Sequence, residues 1–367
     1  MDNTSYRSLS TPAVIIDMDA VEKNIAAMIA GAKKYKMTHR PHTKTHKSVF
    51  MAKKQLEMGA CGITCAKIGE AEVMADSGID DILIAFPIIG ADKIKRLIAL
   101  KQRIKRLIVI ANSVEGAMGL SEAAVAAGEV FDLLIEVDGG MNRGGVAPGE
   151  ATVAFANRIR DLPGVHICGI LYYDALASGS NGHAEVIAAA KREGENMRQS
   201  AELLRQAGFT MEILSAGSSY SAKYPEYLTD VTELRPGTYI YNDRSQLFLG
   251  MVTENQCALR VMATVVSRPD EHTAIIDAGS KTLSSDTLSR VTGYGYIAEH
   301  PEVEIIKLNE EHGYMKSEGI IPFRIGDLVM IIPNHACAVS NLAEEAFAVR
   351  DGQVVATIAI EARGKNR

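Results

Sequence analysis

The chain has 367 residues, 47% of them apolar and 23% charged, with a formal net charge of −6. That length suits two domains with ample core, and the weak acidity argues against nucleic-acid or membrane partners while leaving a small substrate open. The one basic run, Lys101-Gln102-Arg103-Ile104-Lys105-Arg106, reads as a solvated helix face.

The first residues lack the basic-then-apolar pattern of a signal peptide, and no apolar run approaches the ~20 residues of a membrane span. Five cysteines stand in no framework spacing. Cys61, Cys65, Cys168 and Cys257 read as small buried residues. A reduced, cytoplasmic protein is expected.

In chain order, Ala13–Ile16 is a strand-like run expected to join a later β domain. A helix follows. Asp19 and Glu22 have the spacing of a capping box, and Val21, Ile25, Met28, Ile29 and Ala32 form its apolar stripe. Strands are predicted at 39–44, 61–65, 82–86, 107–111, 132–137, 167–172, 212–216 and 238–241. Helical patterns separate almost all of them, the clearest at 47–58, 69–76, 91–100, 113–127, 149–160 and 184–207.

This alternation predicts an α/β fold, a (β/α)8 TIM-type barrel over 18–245. A doubly wound sheet is the runner-up, but the glycine fingerprint expected after its first strand is missing. Beyond residue 246 the runs Ala258–Val266, Thr273–Ile276, Val303–Ile306, Leu328–Ile332, Ala346–Val349 and Val354–Ile360 follow without long helices. They predict a separate β domain over 246–367, joined by the N-terminal strand 10–17.

The segment Arg40-Pro41-His42-Thr43-Lys44-Thr45-His46-Lys47 carries the most chemistry. If 39–44 is a strand, Arg40, His42 and Lys44 share a face, and Lys44 ends it on the side where barrel active sites lie. Lys47 falls where the next helix begins and is the weaker candidate. A partly desolvated lysine can lose its charge and attack a carbonyl, the chemistry of a Schiff-base lysine.

Two glycine- and hydroxyl-bearing segments suit a phosphate at the loops after strands seven and eight. Ala216-Gly217-Ser218-Ser219 follows the seventh predicted strand, and Gly237-Thr238-Tyr239 opens the eighth. Arg143 lies in a glycine-rich loop after the fifth. His335 and Cys337 close the run Leu328–Ile332, and residues two apart on an extended chain point the same way. An imidazole and a thiolate can hold Zn²⁺ and leave positions open.

Several motifs together resemble the D-threonine aldolase and D-serine dehydratase family, pyridoxal-phosphate enzymes of the alanine racemase fold type. Arg40–Lys47 resembles its lysine motif, Asp138–Val146 its arginine segment, and Leu234-Arg235-Pro236-Gly237-Thr238-Tyr239 its phosphate-side segment. Asp277–Lys281 and Glu310-Glu311-His312-Gly313 resemble parts of its second domain, and Pro333-Asn334-His335-Ala336-Cys337 its metal motif. The ordered set spans nearly the whole chain.

The resemblance implies Lys44 as the Schiff-base residue. It also implies cofactor contacts from His42, Arg143, Tyr172, Gly217, Ser218, Ser219, Gly237, Thr238 and Tyr239, with Arg143 on either the cofactor's phenolic oxygen or the substrate carboxylate. His335 and Cys337 are the implied ligands of a divalent metal. Zinc is favoured by the thiolate, whereas a carboxylate in that place favours manganese or magnesium. His312 is a candidate to approach the metal-bound group.

Where the family's dehydratases have a histidine- and glycine-rich loop, this chain has Tyr172-Tyr173-Asp174-Ala175-Leu176, a candidate wall of the substrate pocket. The implied activity is a lyase on β-hydroxy D-amino acids, dehydrating them to a 2-oxo acid and ammonia. Retro-aldol cleavage to glycine and an aldehyde is the alternative. A racemase and a non-catalytic pyridoxal-phosphate carrier are further alternatives. In related enzymes the active site lies between the barrel of one subunit and the β domain of another, so a homodimer is expected.

Overall fold

The computed structural model describes residues 4–174 and 176–367. The chain divides into two compact units. One comprises residues 26–44, 51–237 and 365–367; the other comprises the described residues up to Ile25, then 45–50 and 238–364.

The chain enters through β1 (Ala13–Asp17) and α1 (Met18–Lys34). The predicted cap of α1 is displaced by two residues. Asp17, not Asp19, accepts the backbone N–H groups of Asp19 and Ala20, both at 3.0 Å. Asp19 and Glu22 instead face outward and pair with the Arg350 guanidinium.

The first unit is built on one parallel sheet. Its strands are β2 (Thr38–His39), β3 (Ile63–Cys65), β4 (Asp81–Ile84), β5 (Arg106–Ala111), β6 (Phe131–Asp138), β7 (Val165–Tyr173), β8 (Ile213–Ala216) and β9 (Glu233–Leu234). Their order across the sheet is β2-β9-β8-β7-β6-β5-β4-β3. The helices between them are α2 (Val49–Glu57), α3 (Ile68–Asp76), α4 (Ala91–Lys101), α5 (Val114–Ala127), α6 (Glu150–Ile159) and α7 (His183–Gln206).

The α/β class and the alternation therefore hold. At the two ends of the strand order, Cys61 N donates to the His39 carbonyl at 2.9 Å and Thr64 N to the Pro41 carbonyl at 2.8 Å. The longer strands, such as β5, are apolar runs, as expected where both faces are covered. Leu83, Ile108, Ile110, Leu134, Cys168, Leu171 and Ile213 form one buried cluster. Local signals end the helices: Ser113 Oγ caps α5 by accepting from Gly116 N, and Gly128 closes it at φ 67°.

Two sequence expectations fail here. The first predicted strand, 39–44, is only Thr38–His39, and Thr43–Thr45 is a 3-10 turn. The eighth is Glu233–Leu234, and 238–241 holds a second 3-10 turn, Thr238–Ile240. Gly237 therefore follows the eighth strand instead of opening it.

The second unit is a mixed sheet. After α8 (Arg244–Phe248) come β10 (Leu259–Ser267), β11 (Thr273–Ile276), α9 (Ser280–Leu283), β12 (Glu304–Leu308), β13 (Gly313–Lys316), β14 (Leu328–Ile331), α10 (Ala336–Leu342), β15 (Glu345–Arg350) and β16 (Gln353–Ala359). The order is β12-β13-β11-β10-β1-β15-β16, with β14 paired to β10. The N-terminal strand β1 thus lies between β10, antiparallel, and β15, parallel. Among the described residues, no helix is long and apolar enough to cross a membrane.

Arg40, just past β2, is 2% exposed. It ties three strands together, with Nε on Glu233 Oε2 at 2.6 Å and Nη1 on Asp81 Oδ1 at 2.5 Å. Removing it strands the buried Glu233 carboxylate. We expect Arg40→Ala to lose about 3–5 kcal/mol in denaturant unfolding, and an unchanged unfolding curve would rule out this role.

Glu193, on α7, holds the loop after β8 by accepting from Gly217 N at 3.0 Å. Burial pushes its carboxyl up from 4.5 to about 7, against opposing hydrogen bonds from Ser221 and Gly217. The folded chain keeps this proton where the unfolded chain has lost it. Its stabilisation is therefore full below the ordinary carboxylate range and lost as pH rises to about 7. Glu193→Gln, which keeps an acceptor for Gly217, should gain stability relative to the parent across that window. The gain is on the order of 3 kcal/mol and levels off above the window. Melting temperatures of both proteins at stepped pH test this; a pH-independent difference would contradict it.

Candidate active site

In the parallel-sheet unit the chain leaves β2 and turns at Thr43–Thr45. The turn is fixed from beneath. The Thr43 hydroxyl donates to Glu70 Oε1 at 2.6 Å, and Glu70 Oε2 in turn accepts from Ala66 N at 2.7 Å. His42 N donates to the Pro236 carbonyl at 3.0 Å, which joins this turn to the segment after β9. Lys44 N approaches His42 Nδ1 at 3.4 Å. From Pro41 to Ser48 every side chain is buried except that of Lys44. An amine is thus presented on an otherwise immobilised segment.

Lys44 Nζ lies 5.8 Å from the centroid of the Tyr173 ring, and the Arg143 guanidinium lies 5.2 Å from the same centroid. Sequence reasoning named Tyr172, whose hydroxyl instead accepts from Asn196 Nδ2 on α7 at 2.9 Å. The two tyrosines end β7, so their side chains take opposite faces. Tyr173, expected only as part of the pocket loop, is the tyrosine that both cations approach. The rest of that predicted pocket loop includes Ala175, which lies outside the described residues.

The loop bearing Arg143 is built to return to its own strand. Asp138 N donates to the Val146 carbonyl at 2.8 Å and Val146 N to the Glu136 carbonyl at 2.9 Å. The Asp138 carboxylate accepts from Gly140 N and Asn142 N. A Cβ at Gly139 would collide with the Tyr173 carbonyl, so only glycine lets the two strand ends approach this closely. Beneath Arg143, burial raises the pKa of Glu136, opposed by Asn112, Arg143 and Arg235.

The two predicted phosphate segments meet. Ser219 Oγ accepts from Gly237 N at 3.1 Å. Ser218 Oγ accepts from Tyr220 N and Ser221 N, both at 3.2 Å, so it closes the turn that begins at Gly217. Gly217 has φ 85°, where a side chain is strained.

Arg235 was quoted only as part of a motif. It is 7% exposed, donates through Nη2 to the Tyr172 carbonyl at 2.8 Å, and has no partner at Nε among the described residues. A lysine, two anion-suited loops and a buried guanidinium with an unused N–H fit a phosphorylated, aromatic carbonyl cofactor.

In the mixed-sheet unit, Thr238 and Tyr239 lie on the 3-10 turn at its start; Tyr239 is buried. The Thr238 hydroxyl is 3.5 Å from Cys337 Sγ, and Cys337 Sγ donates to Thr45 Oγ1 at 3.2 Å. The predicted extended geometry of His335 and Cys337 is not what pairs them. β14 ends at Ile331, His335 is the residue before α10, and Cys337 lies in its first turn.

The two side chains nonetheless interact. Burial alone would lower the His335 pKa, but Cys337, Asp243 and Asp286 push it up to about 10. His335 Nδ1 meets Asp286 Oδ2 at 2.7 Å. Among the described residues no group of three or more His, Cys, Asp or Glu side chains gathers as a metal cage. An imidazole and a thiol with a carboxylate behind the ring suit an ion that takes its other ligands from solvent or substrate. His312 is exposed at the β12–β13 turn, beside the Lys281 pairs with Glu310 and Glu311.

The "Alanine racemase, N-terminal domain" family model matches residues 16–245, and the "Putative serine dehydratase domain" model matches residues 258–349. The chain is 31% identical to a D-threonine aldolase from an Arthrobacter species, over 98% of this chain and 94% of that one. The crystal structure of D-threonine aldolase from Filomicrobium marinum superposes with a TM-score of 0.91 at 30% identity, covering 99% of this chain and 98% of that one. D-threo-3-hydroxyaspartate dehydratase from a Delftia species gives 0.89 at 31%, covering 97% and 98%. A cysteine-to-alanine mutant of a dehydratase of that name has been solved in the metal-free form. With both halves matched in order and over nearly its full length, the chain belongs to the D-threonine aldolase and D-serine dehydratase family, of the alanine racemase fold type.

Proposed function

We propose that this lyase acts on β-hydroxy D-amino acids and eliminates the β-hydroxyl, giving a 2-oxo acid and ammonia. The observation that carries the proposal is the convergence of the Lys44 amine and the Arg143 guanidinium on the Tyr173 ring. It sets a base beside a cation suited to a carboxylate or a phenolic oxygen. Bound pyridoxal phosphate supplies an electron sink at Cα, and a divalent ion supplies a Lewis acid at the β-hydroxyl.

Lys44 Nζ takes the Cα proton. Arg143 holds the substrate carboxylate or the cofactor's phenolic oxygen. Ser218, Ser219, Thr238 and Tyr239 offer hydroxyl and backbone N–H donors to the phosphate, and Gly217 and Gly237, whose own N–H groups are held by Glu193 and Ser219, let the backbone come close to it. His42 and Tyr172 support the Lys44 turn and the end of β7. His335 and Cys337 hold the ion, zinc by the softness of the thiolate, and His312 is the proposed proton carrier to the departing oxygen. Loss of the Cα proton and the hydroxide leaves an enamine, which takes up water and releases ammonia.

The same proposal places the cofactor domain at 18–245, closed as a (β/α)8 barrel, and the metal-bearing β domain at 246–367 with residues 10–17. It also takes the protein as a cytoplasmic homodimer whose two subunits share each active site.

A second reading, retro-aldol cleavage, has the support of the Arthrobacter and Filomicrobium relatives, which are named aldolases. It needs the hydroxyl deprotonated and its oxygen kept on the aldehyde. The ligand pair favours elimination, because imidazole and thiolate select zinc, and zinc acts as a Lewis acid at a leaving oxygen.

Two experiments test these assignments. Borohydride reduction of the holoenzyme followed by peptide mapping should find the pyridoxyl group on Lys44; finding it on Lys47 would refute the assignment. D-serine, D-threonine and 3-hydroxy-D-aspartate, each incubated with zinc- or manganese-loaded enzyme, should give ammonia and a 2-oxo acid. Glycine and an aldehyde without ammonia would establish the aldolase. Lys44→Ala should abolish turnover of whichever substrate is accepted.

A further inference from the structure

We propose that Asp286 is a positioning residue for His335, holding its ring in the tautomer and orientation that present Nε2 to the metal. The inference rests on the reading of His335 and Cys337 as ligands. The contact is His335 Nδ1 to Asp286 Oδ2 at 2.7 Å. An ionised carboxylate only accepts, so Nδ1 carries a proton, and Nε2 is the nitrogen left for a cation, which takes the place of the second proton of the charged ring. The negative charge behind the ring also makes Nε2 a better donor to a cation.

The surroundings hold this one contact in place from several sides. The Asp286 carbonyl accepts from Asn334 Nδ2 at 2.9 Å, and Asp286 N donates to Ser284 Oγ at 3.2 Å. Asn334 is buried and is the chain neighbour of His335. Its second N–H goes to the Gly293 carbonyl at 2.9 Å, and its Oδ1 accepts from Arg244 Nη1 at 3.1 Å. On the other side of His335, Ala336 N donates to the buried Asp243 Oδ2 at 3.1 Å. His335 is thus anchored through both chain neighbours, and the residue before it also anchors the loop that supplies Asp286.

Stability does not account for the contact. The Asp286 and His335 side chains are 50% and 45% exposed, and exposed ion pairs contribute little to folding. A half-exposed pair held by a buried asparagine makes sense as the orientation of a ring with work to do at its far nitrogen.

The test uses the full-length holoenzyme loaded with cobalt(II), read by thiolate-to-cobalt absorption and by competition with a chelator. The parent should show the absorption, and Cys337→Ala should lose it. Asp286→Ala should bind cobalt about 10–100-fold more weakly. At saturation it should still show the thiolate band, with the cofactor absorbance and the unfolding midpoint of the parent. Should Asp286→Ala fold poorly, Asp286→Asn, which keeps the shape without the charge, decides by the same reading. Parental cobalt affinity in the variant would overturn the role of Asp286 and leave the metal site standing. No cobalt band in the parent would overturn the metal site itself, and this inference with it.

Discussion

The immobilised turn at Thr43–Thr45 is the constraint on which the parallel-sheet unit depends. The proposed Schiff-base role asks Lys44 for a mobile amine on a fixed backbone, two demands that normally conflict in a long, flexible side chain. The chain meets them by burying the side chains on both sides of Lys44 and leaving Lys44 itself exposed. The Thr43–Glu70 hydrogen bond and the His42 N–H on the Pro236 carbonyl lock the turn to two other elements. The backbone therefore cannot drift when the amine changes partners.

The same logic runs through the other loops at the ends of the strands. Arg143 is exposed, yet its loop returns to β6 through two backbone hydrogen bonds and an aspartate turn. Gly139 permits the loop to cross against the end of β7, and the Tyr173 ring there lies within about 6 Å of both cations. The serine loop after β8 and the segment after β9 are fastened by Ser219 and Gly237. Loops that carry chemistry are usually the mobile parts of a fold. Here each is fastened by hydrogen bonds of its backbone or its own side chains, which hold the loop without any ligand.

Much of this was legible in the sequence because parallel strands buried on both faces leave continuous apolar runs. Leu107–Ala111 and Asp132–Val137 are found as strands for that reason. The two errors in strand placement share a cause. Thr38–His39 and Glu233–Leu234 are two-residue strands, too short for any periodic signal, and the polar motifs beside them drew the prediction onto 3-10 turns. β13 was missed because Gly313-Tyr314-Met315-Lys316 has little apolar content. Asp286 had no local signal at all: it lies 49 residues from His335, and only the folded chain brings them together.

The His335–Cys337 pair shows how much of a site can be carried by context instead of spacing. Two residues apart, they would share a side on a strand, but Cys337 is already helical, and the pairing arises from the turn into α10. That turn is held by a buried carboxylate, Asp243, whose pKa burial raises against the opposing charge of His335. A second carboxylate, Asp286, meets the ring from the loop after α9. A carboxylate flanking an imidazole and thiol makes the cluster net negative once the thiol ionises, and a divalent cation relieves that charge more fully than a proton can. On the proposed reading, His335 and Cys337 are two ligands of different softness, and the remaining positions are left to small molecules. That suits an ion whose task is to take hold of a substrate hydroxyl and release it as a leaving group.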